Sequence, residues 1–180
     1  MSSPLVLTIG HSTRELPAFI DLLTENGVTC LVDVRTVPRS RTNPQFNRDT
    51  LPDALGAAGI DYLHLPGLGG LRRARPDSPN MGWRNASFRG YADYMGTQEF
   101  AENLERLLAL AARERVALMC AEAVPWRCHR SLIGDALLTR GCSVADIMGT
   151  GRTQPHALTS WAVVNGTEIT YPPADERPAR

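Results

Sequence analysis

Six residues with side chains suited to chemistry lie close together in the segment 119–130, whose sequence is MCAEAVPWRCHR. The segment supplies thiols that act as nucleophiles when ionised, an imidazole and a carboxylate that exchange protons, and guanidinium groups that bind anions. The six residues are Cys120, Glu122, Arg127, Cys128, His129 and Arg130. A thiol beside cations near a helix start has a lowered pKa, so we expect Cys128 to be the most acidic of the four thiols if it is exposed.

The flanking sequence predicts that this segment connects a buried strand to a helix. Residues 116–120 form a short apolar run typical of a strand, and residues 129–140 carry apolar side chains at helical spacing. In open α/β sheets, ligands bind outside the carboxyl ends of the strands. Arg127, His129 and Arg130 would repel one another beside the positive end of the helix dipole, so we expect an anion there.

Polar side chains also follow three other predicted strands, which span residues 5–9, 30–34 and 60–65. These side chains belong to His11, Ser12, Arg35 and His64. Because the carboxyl ends of parallel strands meet at one edge of a sheet, we expect them to line one pocket with the 119–130 segment. Together with Arg127 and Arg130, they are the predicted substrate-binding residues.

Each of these residues also has an ordinary structural interpretation. Ser12 is suited to capping a helix, His64 to a hydrogen bond within the core, and the two cysteines to packing as small apolar residues. One of the arginines could pair internally with Asp33 or Glu122. The shared placement at strand ends favours a functional pocket over these separate explanations.

Strands and helices alternate along the chain, which predicts one α/β domain over residues 1–180. The expected architecture is a three-layer sandwich, with helices on both faces of a mostly parallel five-stranded sheet and a small C-terminal hairpin at Asn165-Gly166. The segment 67–90 is longer than an ordinary loop and rich in Gly, Pro and Arg, which predicts a partly ordered flap. We expect residues 172–180 to be a frayed tail.

The composition excludes some kinds of chemistry. All 19 basic residues are arginines, so neither Schiff-base catalysis nor a phosphate-loop lysine is available. They balance 19 acidic residues, which leaves no overall electrostatic case for a nucleic-acid or membrane partner. The sequence lacks both a run near the roughly 20 apolar residues of a membrane helix and a basic leader, so we expect a cytoplasmic protein with free thiols.

Several short motifs occur in a characteristic order along the chain. They are Thr8-Ile9-Gly10-His11-Ser12, Asp33-Val34-Arg35 with Pro38 and Ser40, Phe46, Tyr62-Leu63-His64-Leu65-Pro66, Leu68-Gly69-Gly70, Tyr91 to Met95, Cys120-Ala121-Glu122 with Pro125, and Cys128-His129-Arg130. Over about residues 5–150 the sequence resembles the domain of unknown function 488 family. This resemblance implies an α/β fold with a shared pocket but no particular reaction.

The sequence has a fainter similarity to rhodanese-like and phosphatase-like domains. These also place Asp-x-Arg after an early strand and a cysteine at a strand end. The segment between Cys120 and Arg127 contains a proline and a tryptophan but no glycine that would turn backbone amides toward an anion. The similarity therefore does not extend to their anion-binding loop.

The leading hypothesis is an enzyme, a hydrolase or transferase, that acts on a small phosphorylated or nucleotide-like anion without a cofactor or metal. Cys120, Glu122, Cys128 and His129 would be catalytic. A zinc site using Cys120, Cys128, His129 and a distant histidine is an alternative, although the usual pair of cysteines two to four residues apart is missing.

Two other functions remain open from the sequence. In a nucleic-acid-associated protein, the Arg-rich loops would contact phosphates while Trp83 or Phe88 stacks on a base. In a non-catalytic sensor, the pocket would only bind an anion or a metal. The sequence predicts no oligomeric state.

Overall fold

The computed structural model of the protein describes residues 3–178. Eight strands are assigned within that range: β1 (Leu5–Gly10), β2 (Cys30–Asp33), β3 (Asp61–His64), β4 (Val116–Cys120), β5 (Ser143–Gly149), β6 (Arg152–Pro155), β7 (Val163–Asn165) and β8 (Glu168–Thr170). The same range contains five α-helices: α1 (Leu16–Glu25), α2 (Leu51–Ala57), α3 (Ala86–Tyr94), α4 (Gln98–Ala111) and α5 (Arg130–Leu138). Short 3₁₀ turns cover Pro44–Phe46, Pro66–Leu68, Pro125–Arg127 and Ala174–Glu176.

The larger sheet has the strand order β3-β2-β4-β1-β5-β6, in which only β6 runs antiparallel to its neighbour. The parallel register pairs Gly10 with Cys120 and Asp33 with Met119. The residues that follow β1, β2 and β4 therefore emerge side by side at one edge. This edge positions the candidate site.

Helices cover both faces of this sheet and bury two hydrophobic clusters. On one face, Tyr91, Phe100 and Leu132 from α3, α4 and α5 pack against alternate strand residues such as Val32 and Leu118. The opposite face is covered by α1 and α2, which contribute the buried side chains Phe19, Leu22, Leu23, Leu51 and Leu55. The predicted α/β three-layer sandwich is confirmed.

The sheet has six strands, whereas the sequence predicts five. The additional strand, β6, has the sequence RTQP, and all four residues are exposed. It lacks the apolar alternation on which strand prediction depends, so the sequence gives little sign of it. The predicted C-terminal hairpin is confirmed as β7 and β8. Asn165 pairs with Glu168, so the turn is formed by Gly166 and Thr167 rather than by Asn165 and Gly166, and the Gly166 φ of +65° suits a tight turn.

Helix α3 begins at Ala86, whereas the sequence indicates helix only from Ala92. The Asn85 side chain caps this helix by accepting hydrogen bonds from the backbone N–H groups of Ser87 and Phe88. The last part of the predicted flap is therefore helical.

The middle of the predicted flap is attached to α3 through Asp93. This buried carboxylate accepts hydrogen bonds from the Ser78 hydroxyl, the Asn80 side-chain amide and the Arg75 backbone N–H. These contacts anchor the segment on the helix. Movement of the remaining part, around Gly70 and Leu71, stays a prediction.

The C-terminal region is held to α5 by the buried Asp135. Its carboxylate accepts hydrogen bonds from the His156 ring, the Thr159 hydroxyl and backbone N–H, and the Tyr171 hydroxyl. Beyond Tyr171, the guanidinium of Arg177 lies 4.7 Å from the ring centre of Trp161.

The predicted frayed tail, 172–180, thus has ordered contacts over its described part. Its last two residues lie outside the described residues, and fraying itself stays a prediction. Between residues 3 and 178, none of the helices combines the length and apolar character needed to cross a membrane.

Candidate functional site

A cavity of about 460 Å³ opens where β1, β2 and β4 end. This volume suits a small organic ligand. The lining residues are His11, Arg35, Thr36, Val37, Arg39, Ser40, Gly70, Leu71, Ser87, Phe88, Tyr91, Cys120, Ala121, Glu122, Arg127, Cys128 and His129.

Cys120, the last residue of β4, supplies the most distinctive group in this cavity. Its sulfur lies 2.6 Å from Nη1 of Arg130 and accepts a hydrogen bond from the Cys128 thiol at 2.8 Å. Burial alone would raise the pKa of Cys120, but these hydrogen bonds and the charge of Arg130 lower it to about 7. Cys120 therefore carries a substantial thiolate fraction at neutral pH.

Cys128, in contrast to Cys120, is a weaker acid than an ordinary thiol. Its hydrogen bond to Cys120 and its burial raise its pKa well above the ordinary value for a thiol. The expectation that Cys128 is the most acidic thiol required an exposed side chain, but Cys128 is buried and donates a hydrogen bond to Cys120.

Arg130, at the start of α5, is fully buried and does not line the cavity. Besides Cys120, its guanidinium donates hydrogen bonds to the backbone oxygens of Glu122 and Ala123 and to the Thr8 hydroxyl. The Thr8 hydroxyl in turn donates to the buried carboxylate of Asp146. The interpretation of Arg130 as a direct substrate ligand is therefore wrong, since its donors are used inside the protein.

His129 is a neutral side chain at this site. Its Nε2 lies 3.0 Å from the Val34 carbonyl oxygen, so Nε2 carries the proton and Nδ1 faces the Cys128 sulfur at 3.6 Å. Burial lowers the pKa of His129 to about 4. The prediction of a third cation at the helix start is therefore wrong.

Gly70 is needed for the close approach of the chain to His129. A Cβ at Gly70 would lie 3.2 Å from Nδ1 of His129, closer than ordinary van der Waals contact. The loop that contains Gly70 therefore forms one wall of the cavity against the His129 ring.

Arg35 follows β2 and forms a buried ion pair with Asp33. Its Nε and Nη2 donate to the two carboxylate oxygens at 2.9 and 2.7 Å, and Nη2 also donates to the Phe46 carbonyl oxygen. Nη1 lies 3.4 Å from Nε2 of His11. Arg35 therefore both pairs internally with Asp33 and lines the cavity.

His11 follows β1 and is buried beside Arg35. Its Nδ1 lies 2.8 Å from the Ser12 carbonyl oxygen, and its ring stacks on Phe46 with 4.4 Å between ring centres. Burial, together with the charge of Arg35, lowers the pKa of His11. His11 therefore presents a neutral ring to the cavity.

Besides Arg130, two further predicted site residues, His64 and Ser12, do not line the cavity. Nε2 of His64 donates to the Arg35 carbonyl oxygen at 2.8 Å, which places His64 behind Arg35. Ser12 turns the chain away from β1 with a φ of +48°, and its N–H donates to the Ala121 carbonyl oxygen. Both residues support the backbone around the cavity.

Glu122 and Arg127 lie on the cavity rim and are exposed. The Glu122 carboxylate accepts a hydrogen bond from the backbone N–H of Val124 at 3.2 Å. Among residues 3–178, no hydrogen bond or ion pair is found for the side chain of Arg127 or of Arg39. These two guanidinium groups are therefore available to an anion at the cavity mouth.

Several residues that line the cavity are not predicted from the sequence, among them Val37, Leu71, Ser87 and Tyr91. They belong to loops and to the unpredicted first turns of α3, where no strand end marks them. Tyr91 was the one with a signal, because it lies in a motif of the resemblance.

The positions of Cys120, Cys128 and His129 bear on the zinc site considered as an alternative. Over residues 3–178, no three His, Cys, Asp or Glu side chains are arranged to hold a metal ion. Cys120, Cys128 and His129 instead form a chain of contacts from Arg130 to the Val34 carbonyl.

The fold and site define an α/β protein with a cysteine pocket at the carboxyl ends of its central strands. Residues 15–137, more than half of the chain, match the sequence model described as Domain of unknown function DUF488. The chain belongs to this family. No curated protein and no solved structure matches it. The fainter similarity to rhodanese-like domains is not supported by these comparisons.

Proposed function

We propose that the protein is an enzyme that attacks a small anionic substrate with the Cys120 thiolate. The observation that carries this proposal is the pair of hydrogen bonds to the Cys120 sulfur, from Arg130 at 2.6 Å and from Cys128 at 2.8 Å. They lower the pKa of Cys120 to about 7 in the wall of a cavity. The thiolate is the nucleophilic form of cysteine.

The charges at the cavity mouth support an anionic substrate. Arg39 and Arg127 are exposed there, Nη1 of Arg35 lies deeper, and Glu122 is the only acidic residue in the lining. Guanidinium groups bind phosphate and carboxylate through paired hydrogen bonds. We propose that Arg39 and Arg127 bind the anionic group of the substrate.

The uncharged part of the cavity indicates what else the substrate contains. Val37, Leu71, Phe88 and Tyr91 line the same cavity as the arginines and the thiol. Apolar and aromatic side chains favour an organic group over a bare inorganic ion. The proposed substrate is therefore an organic phosphate or carboxylate with an apolar or aromatic portion.

The proposed reaction begins when the Cys120 thiolate attacks an electrophilic carbon or phosphorus atom. A bond from sulfur to that atom forms, the bond to the leaving group breaks, and the Cys128 thiol gives the leaving group a proton. Water or another acceptor then releases the group bound to Cys120, and a proton returns to Cys128. The reaction class is hydrolase or transferase.

Alkylation and turnover together test this proposal. With iodoacetamide, the rate at Cys120 should rise with pH through a midpoint near 7. The preference for negatively charged iodoacetate over neutral iodoacetamide should fall severalfold in Arg39→Ala and Arg127→Ala. It should be unchanged in the control Arg106→Ala, an exposed position on α4.

A panel of aryl phosphates and carboxylate-bearing aryl esters should identify turnover that Cys120→Ser abolishes. An alkylation midpoint at the ordinary thiol value of about 8.5 would contradict the proposed nucleophile. Turnover that survives Cys120→Ser would do the same.

The nucleic-acid alternative has less support. Trp83 and Phe88, the two candidates for stacking on a base, instead pack against each other with 5.1 Å between ring centres, and Trp83 also packs against Trp161 and Tyr171 at 4.6 and 5.4 Å. All four cysteines are free thiols, which supports the proposal of a reducing compartment such as the cytoplasm.

A further inference from the structure

We propose that Cys120 and Cys128 also form a two-electron redox couple that reduces small hydroperoxides. This inference rests on the proposed nucleophile Cys120 and gives its neighbour a second role. The two sulfur atoms are 2.8 Å apart, and both residues line the cavity. Neither the sequence motif nor the family description assigns such a role.

Peroxide reduction by cysteine requires an ionised sulfur that a small molecule can reach. Cys120 meets this requirement, because Arg130 and Cys128 donate hydrogen bonds to its sulfur in the cavity wall. The reaction also places negative charge on the departing oxygen. Arg35 lines the same cavity, and its Nη1, which lies 3.4 Å from Nε2 of His11 and is not used in the ion pair with Asp33, is available to stabilise that charge.

A second thiol must then react with the oxidised sulfur. Cys128 is already in contact with Cys120, and the alkoxide formed when the peroxide breaks can accept its proton. The other two cysteines differ, since Cys30 lies within β2 and Cys142 precedes β5, and neither lines the cavity. Only one pair among the described cysteines therefore has the required arrangement.

The proposed chemistry proceeds in two balanced steps. The Cys120 thiolate attacks one oxygen of a hydroperoxide, so that a sulfur–oxygen bond forms and the oxygen–oxygen bond breaks. The other oxygen leaves as an alkoxide and takes the proton of Cys128, which yields an alcohol, or water when the peroxide is hydrogen peroxide.

In the second step, the Cys128 thiolate attacks the sulfenic sulfur of Cys120. A disulfide forms, the sulfur–oxygen bond breaks, and the departing hydroxide takes a proton from solvent to become water. Two electrons have passed from the sulfur pair to the peroxide. A small-molecule thiol then reduces the disulfide by thiol–disulfide exchange.

Titration of the reduced, full-length protein with hydrogen peroxide tests the couple directly. We expect one equivalent of peroxide to remove two free thiols, and peptide mapping to find Cys120 joined to Cys128 within one chain. With excess dithiothreitol, the protein should consume peroxide catalytically. Cys128→Ser should lower this catalysis at least tenfold and accumulate a Cys120 sulfenic acid that dimedone traps.

Cys142→Ala is the matched control, because it removes another buried cysteine and should oxidise like the unaltered protein. The thiol count and peptide map need no variant, so they decide the matter even if Cys128→Ser does not fold. A lasting sulfenic acid on Cys120 in the unaltered protein, or peroxide consumption no faster than without protein, would overturn the inference.

Iodoacetamide separates the two proposals. Rapid alkylation of Cys120 near pH 7 without a Cys120–Cys128 disulfide would overturn the redox couple and leave the proposed nucleophile standing. Slow alkylation of Cys120 near pH 7 would overturn both.

Discussion

The Cys120 sulfur has a buried guanidinium beside it rather than a carboxylate or an imidazolium. Arg130 is charged at every relevant pH, so its influence on the thiol does not depend on a second proton equilibrium. His129 and His11 cannot supply this positive charge, because burial lowers the pKa of both rings. The acidity of the thiol thus depends on the hydrogen bond from Cys128 together with the charge and hydrogen bond of Arg130, a residue that does not line the cavity.

Replacing Arg130 with methionine tests this dependence at the level of a single residue. Arg130→Met keeps a long side chain but removes the charge and the four hydrogen bonds that the guanidinium donates to Cys120, Thr8, Glu122 and Ala123. The pKa of Cys120 should therefore rise toward its ordinary value. Iodoacetamide alkylation at pH 7 should become about tenfold slower, because the thiolate fraction falls.

Arg106→Met serves as the control for Arg130→Met and should leave the pH profile unchanged. A profile in Arg130→Met that matches the unaltered protein would show that Cys128 alone sets the acidity. Circular dichroism of each variant confirms that the comparison is made between folded proteins.

The carboxyl end of β1 and the loop after β4 pack together without room for a side chain. A Cβ on Gly10 would lie 1.9 Å from the backbone oxygen of Glu122, which is also an acceptor for Arg130. The packing of these two elements therefore fixes the loop that orients the guanidinium. Fold stability and thiol acidity are coupled through this contact.

Gly10→Ala should consequently destabilise the protein by about 3 kcal/mol, because the backbone has to shift to relieve the overlap. Urea unfolding measures the change, and slower alkylation of Cys120 at pH 7 should accompany it. Gly56→Ala is the matched control. The space around Gly56 in α2 is open, so that substitution should stabilise the protein by about 0.5 kcal/mol. Equal effects at the two positions would contradict the argument.

Topology explains which parts of the site the sequence could predict. Parallel strands bring the ends of β1, β2 and β4 together, so the grouping of His11, Arg35 and Cys120 follows from the alternation of strands and helices. His64 is the last residue of the edge strand β3, and the sequence contains no sign that its ring turns behind Arg35.

The roles of individual side chains depended on details that the sequence does not carry. Arg127 and Arg130 are three residues apart, yet a 3₁₀ turn exposes one and the first turn of α5 buries the other. The contact between Cys120 and Cys128 requires the loop between them to fold back on itself. Spacing alone therefore could not decide which thiol ionises.

At the scale of the whole molecule, His129 couples folding to pH. In the unfolded chain its imidazole binds a proton near pH 6.5, but in the folded protein only near pH 4. As the pH falls through this window, the unfolded chain takes up the proton first, so the free energy of unfolding decreases. The full effect amounts to about 3 kcal/mol.

Urea unfolding at pH 7 and pH 4.5 measures this dependence, with His129→Gln as the comparison. Glutamine retains an N–H donor for the Val34 carbonyl but does not titrate. Between the two pH values, the unaltered protein should lose about 2 kcal/mol more stability than the variant. Because the carboxylates titrate in both proteins, the same loss in each would mean that His129 contributes nothing.

The placement of Arg130 also has a consequence for any covalent adduct on Cys120. When the sulfur takes up a substituent it becomes neutral, and the guanidinium keeps its buried position while losing its nearest anionic partner. The remaining anion, Asp146, reaches Arg130 only through the Thr8 hydroxyl, and a buried charge whose partner is removed is unfavourable. The adduct is therefore electrostatically less favourable than the free thiolate. Release of the substituent restores the attraction between the Cys120 thiolate and Arg130. The same buried arginine that makes the sulfur reactive thus also favours its release, which biases the site toward repeated cycles rather than toward a trapped, modified protein.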